Sequence, residues 1–246
     1  MLSSLLDTSR CISKAIADYI EKLILDGDLL PSQKIPSERQ LCNKLKVSRA
    51  AVREALRVLQ GRGLIATLHG KGSFVAEIIQ PLQTNSPFIQ WYYDHSRTLY
   101  DFNEVRTQLE GQAASLAAQR ATTKDLYLLE KAFKALENAT PKTFADCDQT
   151  FHKTIAQASH NPFLMHLLAS LEELLSHSVQ ASITNLYPID ALKIKMDRQH
   201  LLIHQAIRNK SAKKALKAAT EHVQFVSDHL QALENQGEII IRQALK

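Results

Sequence analysis

Apolar residues recur every third or fourth position along most of this chain, and one short stretch breaks that rhythm. Ile12, Ile16, Ile20 and Ile24 stand at strict i+4 spacing between Cys11 and Asp26, which predicts an amphipathic helix ending at Gly27. Ser37 and Ser48 each precede another apolar-periodic run, and Gln40 completes a capping box with Ser37. Two short helices should therefore meet at Lys46-Val47. In the second, Val52, Leu56 and Leu59 would face a small core, while Arg49, Arg53 and Arg57 form a stripe on another side. Leu64 to Leu68 and Ser73 to Val75 are β-prone and are split by His69-Gly70-Lys71-Gly72, whose glycines permit a hairpin. Residues 1–77 thus have the pattern of a winged helix-turn-helix. Residues 78–97, with Pro81, Asn85, Ser86 and Pro87, are expected to form a linker. From residue 98 to 246 helices are predicted over Tyr100–Arg120, Thr123–Asn138, Thr143–Ala158, Pro162–Asn185, Ile189–Asn209 and Ser211–Glu234. The fold class is mainly α: a winged helix-turn-helix followed by an all-α antiparallel bundle.

Charge sharpens the reading of the first part. Between Gln33 and Ala76 the cations are Lys34, Arg39, Lys44, Lys46, Arg49, Arg53, Arg57, Arg62 and Lys71, opposed only by Glu38 and Glu54. The rest of the chain is close to neutral, so the basic surface is local. Such a surface gathers duplex DNA by counterion release, and Arg forks read guanine edges in the major groove. The plainer alternative is a solvated basic helix pair with no partner. Cys11, Cys42 and Cys147 are far apart and predict neither a disulfide framework nor a thiolate zinc site. Nucleotide-binding GxGxxG and Walker loops and a GxSxG elbow are absent. With no apolar run of membrane-spanning length and no secretory leader pattern, a cytoplasmic location away from membranes is expected.

Several polar residues fall on faces that should be interior. In Thr143–Ala158 the inner stripe is Phe144, Asp148, Phe151, His152 and Ile155, with a carboxylate and an imidazole one turn apart. They could satisfy each other by a hydrogen bond, or share a metal ion. Two later helices also aim imidazoles inward, through the stripes Met196, His200, Ile203, Ile207 and Ala215, Ala218, His222, Phe225, His229. One Asp with three His suits Zn²⁺, with Ni²⁺ or Mn²⁺ as alternatives, and leaves coordination positions free in an octahedral ion. The pattern does not separate His200 from His204, or His222 from His229. His160, His166 and His177 are further candidates, although each also fits an ordinary surface or helix-end role. Arg106 stands in the stripe Phe102, Leu109, Ala113 and Leu116, where it needs an anion: a Glu or Asp of the bundle, or the carboxylate of a ligand.

Pro36-Ser37-Glu38-Arg39, Val47-Ser48-Arg49, Val52-Arg53-Glu54-Ala55-Leu56, Gly63-Leu64-Ile65 and the wing tip His69-Gly70-Lys71-Gly72 resemble the signature of the GntR family of bacterial transcriptional regulators. The remainder is similar to the FadR subgroup, whose C-terminal part is the helical FCD effector domain. The resemblance implies a DNA-binding set of Arg39, Ser48, Arg49, Arg53, His69, Gly70 and Lys71, and metal ligands Asp148, His152, His200 and His222. It also implies an effector that is a small 2-hydroxy- or 2-oxocarboxylate such as glycolate or lactate, for which Arg106 is the candidate anchor. The partners implied are a palindromic double-stranded operator and a second copy of the chain in a homodimer. One departure is Gln199, where many relatives have Glu beside the metal histidine. A rival reading is a metal-dependent enzyme acting on small carboxylates and carried on a DNA-binding arm. It lacks an inner-stripe carboxylate beyond Asp148 to serve as a base.

Overall fold

The computed structural model describes residues 2–25, 28–77 and 86–242. The chain divides into two compact units, Met1–Gln80 and Pro81–Lys246.

The first unit opens with α1 (Leu2–Leu25), which starts nine residues before the predicted helix; the expected end at Asp26-Gly27 lies outside the described residues. Ile16, Ile20 and Ile24 are buried, whereas Ile12 is exposed at the end of the stripe. α2 (Glu38–Leu45) is started by the Ser37–Gln40 capping box and closed at Lys46 in the left-handed conformation. α3 (Arg49–Gly61) is capped by the Ser48 hydroxyl, which accepts from the Ala51 N–H, and buries Val52, Leu56 and Leu59 against α1 and α2. β1 (Ile65–Leu68) and β2 (Gly72–Val75) pair antiparallel, Ile65 opposite Val75. Gln33 to Ile35 bind the free edge of β2: the Ile35 N–H donates to the Ser73 carbonyl and the Val75 N–H to the Gln33 carbonyl. The wing is thus fastened to the segment before α2.

The second unit is helical. α4 (Pro87–Asp94) forms inside the stretch expected to be linker, because proline at a first helical position starts a helix as readily as it breaks one. Ile89 and Tyr92 of α4 are buried. There follow α5 (Ser96–Arg120), α6 (Thr123–Glu137), α7 (Phe144–Ala158), α8 (Pro162–Ser170), α9 (Glu172–Leu186), α10 (Asp190–Arg208) and α11 (Ala212–Asn235). The single helix predicted over Pro162–Asn185 is broken at Leu171. There the Ser170 hydroxyl donates to the Leu167 carbonyl, a back-bond of the kind that bends helices.

Two apolar layers hold this unit. One gathers Ala113 to Ala118 of α5 with α6, α7, α8, Ile203 and Ile207 of α10 and Ala219 of α11. The other gathers Ile89 and Tyr92 of α4, Leu99 of α5, Met196 of α10, and Val226 and Leu230 of α11. Along α5, α10 and α11 Asn103, Arg106, Glu110, His200 and His222 fall between the residues of these layers. Gly111 lets α5 and α11 approach closely: a Cβ there would stand 2.5 Å from Thr220 Oγ1.

Candidate functional site

Between the layers α7 supplies Asp148 and His152, α10 supplies His200 and α11 supplies His222. One ligand atom from each lies within 4.8 Å of all the others. Donors on opposite sides of a single ion stand about 4 Å apart, given metal bonds of about 2.0–2.2 Å, so only a small contraction is needed. The rings of His200 and His222 are 4.3 Å apart, and His152 stacks parallel to His222 at 5.4 Å.

The hydrogen bonds around these rings leave nitrogen facing the cluster. His152 Nδ1 lies 2.6 Å from Glu110 Oε2, and its Nε2 has no hydrogen-bond partner. His222 Nδ1 donates to Gln199 Oε1 at 3.3 Å, which leaves Nε2 with its lone pair. His200 is 1% exposed with neither nitrogen hydrogen-bonded. Its Nε2 is 3.0 Å from Asp148 Oδ1, in contact but without the alignment of a hydrogen bond. Unpaired buried nitrogens are costly, and metal coordination satisfies one on each ring. The residues present therefore fit a divalent ion with nitrogen and oxygen ligands, in which Glu110 and Gln199 orient two of the imidazoles.

Arg106 is almost fully buried, and its anion is Glu110, one turn along α5. Glu110 bridges: one oxygen accepts from Arg106 Nε, the other meets His152. Arg106 Nη1 donates to Ser178 Oγ at 3.3 Å, and that hydroxyl donates to Asn103 Oδ1 at 2.8 Å. Burial acts to raise the Glu110 carboxyl, but Arg106 and His152 outweigh it and hold it well below the usual carboxylate range. Burial likewise opposes ionisation of Asp148, and His152, His200 and Arg106 hold it down at about 2. Burial and the neighbouring imidazoles and guanidinium push His222 well below the ordinary histidine value, so it is neutral and available as a ligand.

Arg106 finds the bundle carboxylate that its burial requires in Glu110, a residue the sequence pattern did not single out. With one oxygen on Arg106 and the other on His152 it is a held anion and not a free base. Its signal was the i+4 spacing from Arg106. His204, also interior, turns away from the cluster: it stacks on Phe133 and meets Glu130 at 3.0 Å. His229 contacts the Phe225 carbonyl, His160 contacts Asp125 and His177 contacts Tyr93.

In the first unit, Arg39, Ser48, Arg49, Arg53, His69, Gly70 and Lys71 are all exposed. Arg49 and Arg53 share one face of α3, where Arg53 Nε bonds Glu38 at 2.9 Å. The wing turn, closed by the Lys71 N–H to the Leu68 carbonyl, presents His69, Gly70 and Lys71 at its tip, with Gly70 at φ +72°. Among the described residues no helix is long and apolar enough to cross a membrane.

Comparison with known proteins adds two family matches: residues 12–75 to the bacterial regulatory proteins of the gntR family, and residues 101–225 to the FCD domain. The chain is 42% identical to the Glc operon transcriptional activator of Escherichia coli, over 97% of this chain and 96% of that protein. It is 32% identical to an Escherichia coli protein assigned as regulator of the L-lactate dehydrogenase operon, over 88% and 85%. Among solved structures, a GntR protein of Streptococcus agalactiae is similar, with 27% identity, a TM-score of 0.51 and coverage of 88% of this chain and 99% of that one.

Proposed function

The chain belongs to the GntR family of bacterial regulatory proteins and is a transcriptional regulator with an FCD domain, and we propose that its operator affinity is set by a small hydroxycarboxylate bound at a divalent metal in the second unit. The observation that carries this reading is Glu110. By touching Arg106 and His152 at once, it puts a buried guanidinium within one carboxylate of the Asp148–His152–His200–His222 cluster. A 2-hydroxy acid matches that pairing: one end chelates the ion through hydroxyl and carboxyl oxygens, and Arg106 supplies a charge-assisted hydrogen bond. The metal, Zn²⁺ in this reading, would contribute Lewis-acid binding of the acid. Relatives named for glc and lactate-dehydrogenase operons support glycolate or lactate as the class of effector.

On the DNA side, a homodimer places two α3 helices in successive major grooves of a palindromic operator. Arg49 and Arg53 point at bases, Arg39 and Ser48 lie at the backbone, and the wing tip His69-Gly70-Lys71 reaches the adjoining minor groove and phosphates. This work belongs in the cytoplasm, with the operator.

A thermal-shift screen of small carboxylates on untagged, metal-loaded protein, repeated with chelator, tests the reading. An acid that stabilises only the metal-loaded form supports it. Protein that takes up no divalent ion by elemental analysis, or an acid that stabilises equally with chelator, overturns it.

A further inference from the structure

Among the described residues the metal cluster and Arg106 leave several buried polar atoms unexplained, among them side-chain donors of α4 and α5. The Tyr92 hydroxyl has no hydrogen-bond partner although the residue is 1% exposed. Asn103 Nδ2 has none either, in a residue exposed to 0%. Asn103 stands beside Arg106, and Tyr92 packs on the helix that supplies Ser178 to it. Asn103 precedes Arg106 by one turn on α5 and is tied to it through Ser178, whose hydroxyl stands between Asn103 Oδ1 and Arg106 Nη1. The Tyr92 ring packs at 6.0 Å on His177, the residue before Ser178. Burial pushes the Tyr92 phenol up, and Arg106 is among the charges that reach it. The phenol therefore stays neutral and can only be a donor toward an anion.

We propose that Tyr92 contacts the effector: its hydroxyl, together with Asn103 Nδ2, donates to the carboxylate that Arg106 holds, so that α4 senses occupancy of the metal site. The inference rests on the hydroxycarboxylate reading above and assigns the residues that share the acid's carboxylate with the metal. A carboxylate has about four acceptor positions, enough for one guanidinium, one amide and one phenol. Of the helices in this unit α4 comes first in the chain, so a ligand held by Tyr92 is fastened to the unit's first helix.

The C-terminal segment keeps Tyr92 in place with or without ligand. Arg242 Nη1 donates to the Tyr92 and His95 carbonyls at 2.7 and 2.9 Å, satisfying the exposed carbonyl end of α4. Asn185 pairs with both the N–H and the carbonyl of Ile241, and Ile240 is buried in the same layer as Tyr92. The ring position is built by packing, and the hydroxyl is left free for a partner.

The test compares the full-length zinc-loaded protein with Tyr92→Phe, using glycolate and lactate as probes by isothermal titration. The expected result is affinity for the better acid reduced roughly tenfold, the scale of a lost hydrogen bond to a charged group. Zinc affinity and the melting temperature without acid should not change, since removing an unpaired buried hydroxyl costs the ligand-free fold nothing. Tyr93→Phe, which removes a hydroxyl engaged by His177 on the same helix, is the control and should leave acid affinity intact. Equal acid affinity in wild type and Tyr92→Phe overturns the inference while leaving the effector reading standing. A lowered melting temperature with unchanged acid affinity also overturns it, marking the hydroxyl as structural. Failure of both acids to bind the zinc-loaded wild type sinks the effector reading, and this inference with it.

Discussion

Glu110→Gln removes the one negative charge that serves both halves of the site. In the native chain Glu110 accepts from Arg106 and meets His152 Nδ1 at 2.6 Å, with almost no solvent at either contact. The amide keeps the shape and one acceptor but no charge, so the buried guanidinium is left with neutral hydrogen-bond partners, among them the Ser178 hydroxyl at 3.3 Å. Breaking a buried ion pair from one side costs about 3–5 kcal/mol. Asp148 also acts electrostatically on Arg106, so the lower end, about 3 kcal/mol, applies. For a unit of this size each kcal/mol moves the melting temperature by about 2–4 °C, so calorimetry should record a fall of roughly 6–12 °C in the transition of the second unit. Zinc affinity, read by competition with a chromogenic chelator, should drop about 10–100-fold, because the carboxylate orients His152 and raises its basicity. A melting temperature within about 2 °C of wild type, together with unchanged zinc affinity, would refute the bridging role.

Gly111→Ala drives a methyl group toward Thr220 Oγ1. The overpacking, about 1–3 kcal/mol, should exceed the roughly 1 kcal/mol that alanine returns in helix propensity; denaturant titration should show a net loss that Thr220→Ala relieves in the double variant. On the DNA side, Arg49→Ala should cost about 1–3 kcal/mol and relax base preference at one position of a selected site, while Lys71→Ala should lower the salt slope by about one unit without altering preference; anisotropy titrations across salt separate the two. In acid the metal-free protein should lose stability as pH falls from about 4.5 toward 2. Asp148, lowered from 3.8 to about 2, and Glu110, lowered from 4.5, take up protons more readily in the unfolded chain, so the stability they contribute is present above their unfolded values and lost below them. Denaturant midpoints against pH should fall less steeply for Asp148→Asn, and an identical slope would remove Asp148 from the account.

Caps and periodicity made the first unit legible. Ser37, Gln40 and Ser48 act locally, and their hydrogen bonds form where the pattern places them. The second unit yielded its helices and most of their joints; the helix started by Pro87 and the break after Ser170 were missed, because neither effect is visible in hydrophobic spacing. The candidate site was half visible. Asp148, His152, His200 and His222 stood out as polar residues on apolar stripes. Asn103 and Glu110 did not, since the buried face of α5 is itself polar from Asn103 to Glu110 and presents no apolar rhythm for them to interrupt. His200 and His204 are both interior because α10 is packed against α5 and α6 as well as α11; only the fold sends one to the cluster and the other to Phe133 and Glu130.

The central claim is that the acid bound at the metal changes the hold on DNA. It is tested most directly by titrating the full-length protein onto a duplex selected from a random pool, with and without glycolate or lactate, in zinc-loaded and chelated forms. The account predicts that one acid shifts duplex affinity about 5- to 150-fold, the range of an allosteric coupling, and only when zinc is bound. Equal affinity in all states, or an acid effect that survives chelation, would contradict it.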